Sequence, residues 1–117
     1  MQTLAERNAT PATPQPPKLM DRVRESLRVH RYALSTERTY CHWIKRFIFF
    51  HGKRHPAEMG AAEVEAFLTH LATAGRVTAS TQNQALHAVL YLYKQVLGVE
   101  LPWLDGIVRA RESKRLP

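Results

Sequence analysis

The sequence between Ala79 and Gly98 reads ASTQNQALHAVLYLYKQVLG, and its apolar residues repeat with the period of an α-helix. Spacings of three, four and seven residues place these side chains on one helix face; they are Leu86, Val89, Leu90, Tyr93, Val96 and Leu97. Ser80 or Thr81 stands where an N-cap side chain accepts a free backbone N–H, and Gly98 stands where helices often end in a left-handed residue. The stretch therefore predicts one helix with both ends defined.

The first turns of this helix are polar and carry no acidic group. They lie at the positive end of the helix dipole, where a phosphate is favoured, and their side chains can hydrogen-bond to base edges. The candidate nucleic-acid contacts here are Ser80, Thr81, Gln82, Asn83, Gln84 and His87. The alternative is that a serine caps the helix and the other side chains are solvated, because the N-terminal turns of most helices are polar.

Three further amphipathic helices are predicted before this one. They run from Lys18 to near His30, from Ser35 or Thr36 to a loop at residues 51–56, and from Gly60 or Ala61 to Gly75. The one candidate strand, Arg76 to Ala79, is too short, so the sequence predicts an all-α fold of four helices. The side chains expected in the core are Tyr40, Trp43, Ile44, Phe47, Val64, Phe67, Leu68, Leu71, Leu86, Leu90 and Tyr93.

The charge of the chain favours a polyanionic partner. Its 117 residues suit one domain, and they include 17 Lys or Arg against 10 Asp or Glu, a net charge of +7. Between Lys18 and Gly60 there are ten basic residues against four acidic ones. No apolar run reaches the roughly 18 to 20 residues that span a bilayer, and no signal peptide is evident. The expected location is therefore the cytoplasm, on the nucleoid when bound to DNA.

The second predicted helix and the loop after it carry most of this excess. Arg38, His42 and Lys45 recur on the face opposite the apolar stripe, and Thr39 and Arg46 lie beside them. The loop adds Lys53 and Arg54. We expect the five lysines and arginines to hold phosphates, and the threonine and histidine to approach a groove with the start of the fourth helix. The alternative is a basic outer face that is only solvated.

No catalytic or metal site is expected in this chain. His51 and His55 are four residues apart, but Gly52 and Pro56 argue against the helix that a zinc-binding pair would need. There is no glycine-rich phosphate loop, paired-carboxylate signature or general base beside the single cysteine, Cys41. The sequence predicts no cofactor, no small-molecule ligand and no membrane partner.

Composition divides the chain into three parts. Residues 1–17 hold four prolines and are expected to be a disordered arm. Residues 18–98 form the helical domain, and residues 99–117 resemble a linker, since their basic end has no core-forming stripe. The sequence leaves open whether the first helix and residues 99–117, with Trp103 and Leu104, pack on this domain or on a neighbouring subunit.

Several blocks, in this order, resemble the N-terminal SAM-like core-binding domain of tyrosine recombinases, and integron integrases in particular. The general pattern is Ser35-Thr36-Glu37-Arg38-Thr39-Tyr40 with Trp43, Ile44, Phe47 and Phe50, followed by Ser80-Thr81 and the fourth helix. The integron-type blocks are Phe50-His51-Gly52-Lys53-Arg54-His55-Pro56-Ala57, Glu63-Val64-Glu65-Ala66-Phe67-Leu68, Gln84-Ala85-Leu86, Leu101-Pro102-Trp103-Leu104 and Arg115-Leu116-Pro117. The resemblance covers about residues 19 to 117.

The resemblance implies a four-helix domain that forms one arm of a C-shaped clamp on DNA, with its second and fourth helices at the major groove. A downstream catalytic domain, absent here, would carry the tyrosine nucleophile and join attI and attC sites within a synaptic tetramer. Folded attC hairpins would be read largely by shape. The chain alone would bind DNA and cut nothing. Two alternatives stay open: a basic helical module that binds an acidic protein, and an intact small enzyme.

Overall fold

Four amphipathic helices make up the fold. The computed structural model describes residues 16–102, 104 and 106–110. These residues form α1 (Pro16–Val29), α2 (Leu34–Phe50), α3 (Ala61–Thr73) and α4 (Ala79–Tyr91), with a 3-10 turn at Pro56–Glu58 and a π-helical turn at Leu92–Val96 that continues α4. No strand occurs within the described ranges. The predicted all-α, four-helix fold is confirmed.

Helix α2 is central, because it packs against each of the other three helices. The predicted apolar stripes of α1, α2 and α3 are almost completely buried, that of α4 is buried in part, and the stripes meet in one core. The buried side chains include Leu19, Met20, Val23 and Leu27 of α1, Trp43, Ile44, Phe47 and Ile48 of α2, Val64, Phe67, Leu68 and Leu71 of α3, and Ala85, Ala88, Val89, Leu92 and Tyr93 of α4 and the π turn. None of the helices seen in the described ranges is long and apolar enough to cross a membrane.

Helix α1 belongs to this domain, a point that the sequence left open. It begins at Pro16, two residues before the predicted start, because proline is favoured in the first turn of a helix, where its missing N–H costs nothing. Ser26 shares a 2.7 Å hydrogen bond with the hydroxyl of Tyr91, and Arg22 donates a 2.8 Å bond to the carbonyl of Val96. The predicted disordered arm, residues 1–17, was wrong at its end, because Pro16 and Pro17 belong to α1. The rest of the arm, residues 1–15, lies outside the described residues.

The fourth helix differs from its prediction in three respects. Its N-cap is Thr78, whose hydroxyl accepts the N–H of Thr81, so the assignment of Ser80 or Thr81 as the cap was wrong. Its last turn is π-helical, and the predicted left-handed Gly98, with φ of 69°, follows shortly after it. The third difference is that two leucines expected in the core are only partly buried.

Those leucines are Leu86 and Leu90, which line a groove between α4 and the residues that follow Gly98. Ala85 and Ala88 are fully buried, because small side chains allow α4 to lie close to the rest of the domain. The buried face therefore centres on the alanines and not on the larger side chains that the sequence pattern emphasised. Tyr40 of α2, also expected in the core, is likewise half-buried. The other eight predicted core residues are buried.

Each of the first three helices is followed by a basic residue in the left-handed conformation. Arg31 has φ of 60°, Lys53 of 67° and Arg76 of 52°. The N–H after Arg31 bonds back to the carbonyl of Leu27, as in a Schellman motif. These three residues change the direction of the chain after a helix, at positions where the left-handed residue is usually glycine.

Residues 99–102, 104 and 106–110, called here the return segment, turn back along α3 and α4. Leu101, Leu104 and Ile107 pack against the core. The N–H groups of Gly106 and Val108 donate to the side chains of Glu65 and Thr69, at 3.1 and 3.0 Å. The described part of the predicted linker is therefore docked on the domain. Trp103, Asp105 and residues 111–117 lie outside the described residues.

Candidate nucleic-acid interface

The cations predicted on α2 share one depression in the surface. Arg38, His42, Lys45 and Arg46 are all exposed and line a depression of about 430 Å³. Arg24 of α1 lines it as well, although the sequence analysis did not single this residue out. The sequence of α1 could have indicated this contribution, because the helix is itself basic and carries Arg22, Arg24 and Arg28. Thr39, beside these residues, is half-buried.

Three of these cations make no ion pair or hydrogen bond with any described residue. The ion pairs of the described chain involve Arg24, Arg28 and Arg54, and none includes Arg38, Lys45 or Arg46. The guanidinium of Arg46 lies 5.1 Å from the centre of the Trp43 ring, a cation–π contact that restrains it without neutralising it. The depression therefore keeps positive charge that an anion can approach.

Glu37, the acidic residue among the described residues that line the depression, does not pair with these cations. Glu37 is nearly buried there, and its two oxygens accept bonds of 3.0 and 2.9 Å from Arg28. This hydrogen bonding lowers the pKa of Glu37, with further lowering by the charges of Arg24 and Arg38. Burial raises the pKa of the neighbouring Cys41 thiol, which is therefore protonated at neutral pH and a poor nucleophile.

The two basic residues of the loop differ in their availability. Lys53 is exposed, and its Nζ lies 5.6 Å from the centre of the Phe49 ring at the edge of the depression. Arg54 is engaged within the loop: it lies 3.6 Å from a carboxylate oxygen of Glu63 and donates a 2.9 Å bond to the carbonyl of Glu58. A phosphate at Arg54 would have to compete with these oxygens.

The histidines of this loop have structural contacts. His51 bonds at 2.9 Å to the carbonyl of Glu63, and Nδ1 of His55 accepts the N–H of Ala57 at 3.0 Å. Within the described part of the chain, no group of three or more His, Cys, Asp or Glu side chains is placed to hold a metal ion.

At the start of α4, most of the predicted side chains reach the surface. Ser80, Gln84 and His87 are exposed, whereas Thr81 and Asn83 are half-buried. The side-chain oxygen of Asn83 accepts a 2.8 Å bond from Arg109 of the return segment. No hydrogen bond or ion pair between described residues links this set to the cations of α2.

Gln82 does not reach the surface, which corrects its place among the groove-facing candidates. It is only 1% exposed. Its Nε2 donates to the carbonyls of Leu68 and Val108, both at 2.9 Å, and its Oε1 accepts the N–H of Ala110 at 2.9 Å. Helical periodicity could have predicted this burial, because residue 82 lies seven positions, or two turns, before the buried Val89 and thus on the apolar face.

Comparison with known proteins places these features in a family. The description "Phage integrase, N-terminal SAM-like domain" matches residues 19–103. A protein named "Integrase/recombinase" from Escherichia coli and one of the same name from Pseudomonas aeruginosa are each 50% identical to this chain over 112 residues. Each match covers 92% of this chain and 33% of the relative, so the chain spans about a third of the length of these proteins. The chain therefore belongs to the phage integrase, or tyrosine recombinase, family and corresponds to its N-terminal SAM-like domain.

Proposed function

We propose that this chain is the DNA-binding domain of an integron-type tyrosine recombinase and that it holds recombination-site DNA through α2 and α4. The observation that carries the proposal is the depression on α2, where Arg38, Lys45 and Arg46 lie together without a carboxylate partner among the described residues. Such cations bind the phosphates of a duplex and release its counterions.

The two helices contribute different kinds of contact. The cations of α2, together with Lys53, hold phosphates and fix the position of the domain on the duplex. Arg54 joins them when a phosphate displaces Glu63. Thr39 and His42, with the surface residues of α4, approach the groove, where hydroxyl, amide and imidazole groups can hydrogen-bond to base edges. The contributing α4 residues are Ser80, Thr81, Asn83, Gln84 and His87.

Recombination itself requires the rest of a longer protein. In this proposal a catalytic domain downstream of residue 117 supplies the tyrosine nucleophile, and the complete recombinase joins attI and attC sites as a synaptic tetramer. The present domain uses no metal or nucleotide cofactor and does not cut DNA. The two relatives named "Integrase/recombinase", of which this chain covers only 33%, support the assignment to a longer recombinase.

The test is a fluorescence-anisotropy titration of the chain with an attI-like duplex, a folded hairpin and a scrambled duplex, each at two salt concentrations. Binding should weaken steeply with salt. Lys45→Glu should lose most of the affinity, because it reverses a charge in the depression. Lys94→Glu is the matched control: it makes the same charge change at an exposed residue that borders a different groove.

Equal losses in the two variants would mean that net charge, and not the α2 surface, governs binding. Absence of binding to all three DNAs at low salt would contradict the proposal. Tighter binding to poly-glutamate than to any DNA would favour the alternative of an acidic protein partner. A preference for the hairpin over the scrambled duplex would support shape-based reading of attC-type DNA.

A further inference from the structure

Arg24 belongs to α1, yet it lines the same depression as the cations of α2. Two features hold the helices at this spacing. The stripe that includes Val23 and Leu27 is buried against the core, and Arg28, one turn after Arg24, pairs with Glu37 of α2 through both carboxylate oxygens. The position of Arg24 beside α2 therefore follows from the packing of the domain.

The carboxylate in the depression does not pair with Arg24. Glu37 is the one acidic side chain among the described residues lining it, and both of its oxygens are occupied by Arg28. Its side chain is only 7% exposed, so it cannot turn outward to meet another cation. An anion in the depression would meet Arg24 on one wall and Arg38 and Lys45 on the other.

The ion-pair partner of Arg24 lies on α1 itself, on the adjoining part of the same helix face. Its Nη1 is 3.1 Å from Oδ1 of Asp21, one turn earlier, and the side chain of Asp21 is 78% exposed. Arg24 also borders a separate depression on the outer surface of α1, which Asp21 and Glu25 line. Exposed ion pairs of this kind contribute little to stability, so a phosphate can replace the carboxylate at low cost.

We infer that Arg24 is a further phosphate-binding residue of this domain and that Asp21 competes with the DNA backbone for it. The inference rests on the proposed function, since it adds a third element, α1, to the DNA-contacting surface. Rotation of the Arg24 side chain exchanges the Asp21 carboxylate for a phosphate that the α2 cations already hold. Asp21 thereby weakens the binding of every duplex.

The experiment measures the slope of log affinity against log salt concentration for the chain and a mixed-sequence duplex. Each phosphate contact contributes about 0.9 to this slope. Between about 50 and 200 mM salt, the affinity of the wild-type chain should therefore fall about 3.5-fold more than that of Arg24→Ala. Arg24→Lys keeps the charge and should keep the slope. Circular dichroism melts of both variants check that the domain remains folded.

A second variant, Asp21→Asn, tests the competition between Asp21 and phosphate. It should tighten DNA binding only when Arg24 is present. A matched control is Glu25→Gln, which removes one negative charge from the same helix. Tightening by Asp21→Asn that persists in the Arg24→Ala background, or equal tightening by Glu25→Gln, would overturn the competition between Asp21 and phosphate. An unchanged slope for Arg24→Ala, beside a reduced slope for Lys45→Glu, would overturn the inference and leave the proposed function intact. Failure of the wild-type chain to bind at low salt would overturn both.

Discussion

Replacement of Gln82 by alanine should release the return segment from the domain. The side-chain amide of Gln82 is buried and bonds to three backbone groups: the carbonyls of Leu68 and Val108 and the N–H of Ala110. Two of these groups belong to the return segment, and alanine can replace none of the bonds. The substitution also leaves an empty space between α3 and α4.

The size of the effect follows from these bonds. A typical intramolecular hydrogen bond contributes about 1 kcal/mol net, so the loss of three lowers the free energy of unfolding by on the order of 3 kcal/mol. For a domain of this size, that loss lowers the melting temperature by roughly 12 to 24 °C. Asn83→Ala, which removes one solvent-accessible bond to Arg109, should change the free energy of unfolding by about 0.5 kcal/mol or less.

Urea titration and hydrogen exchange together test this reasoning. In Gln82→Ala, the amides of Gly106, Val108 and Ala110 should all exchange faster than in the wild-type chain, because all three belong to the return segment. A free energy of unfolding within about 0.5 kcal/mol of wild type would refute the structural role of the amide. So would unchanged protection of the Ala110 amide.

Three other predictions concern the core and the α1–α2 contact. Trp43→Ala should destabilise the domain by about 3–5 kcal/mol in urea titration, since the side chain is buried, and near-normal stability would contradict that assignment. Tyr93→Phe should cost about 1 kcal/mol in the same assay, because the hydroxyl donates a 2.7 Å bond to the carbonyl of Pro56; an unchanged midpoint would exclude this contribution. Because the bond from Arg28 lowers the pKa of Glu37 from its ordinary 4.5, the stabilisation by this pair is complete above that pH and is lost as the pH falls through the lowered pKa. The difference in melting temperature between wild type and Glu37→Gln should therefore shrink from neutral pH to about pH 3, and a difference that stays constant would contradict the assignment.

Most of the fold could be predicted from the sequence because local signals agree. Apolar periodicity predicted four helices, and Gly98 ended the fourth in the left-handed conformation expected of it. Eight of the expected core side chains are buried, Phe47 and Phe67 among them. Helical periodicity also predicted the exposed face of α2, since Arg38, His42 and Lys45 recur on the side away from the apolar stripe.

The remainder depended on contacts between distant parts of the chain. The burial of Gln82 requires the carbonyl of Val108, 26 residues away, and no local pattern predicts that partner. Leu86 is only partly buried because it faces a groove that α4 forms with the return segment. Arg24 joins the depression only because α1 packs beside α2, a placement that the sequence left open.

The left-handed residues after the first three helices have a consequence for engineering. At Arg31, Lys53 and Arg76, glycine would relieve a conformational penalty of roughly 1–2 kcal/mol per position. Each such replacement would also remove one of the 17 positive charges of the chain. Thermostability and attraction for a polyanion therefore oppose each other in these loops. A thermostabilised variant obtained by this route should bind DNA less tightly at low salt, even with every residue of α2 and α4 intact.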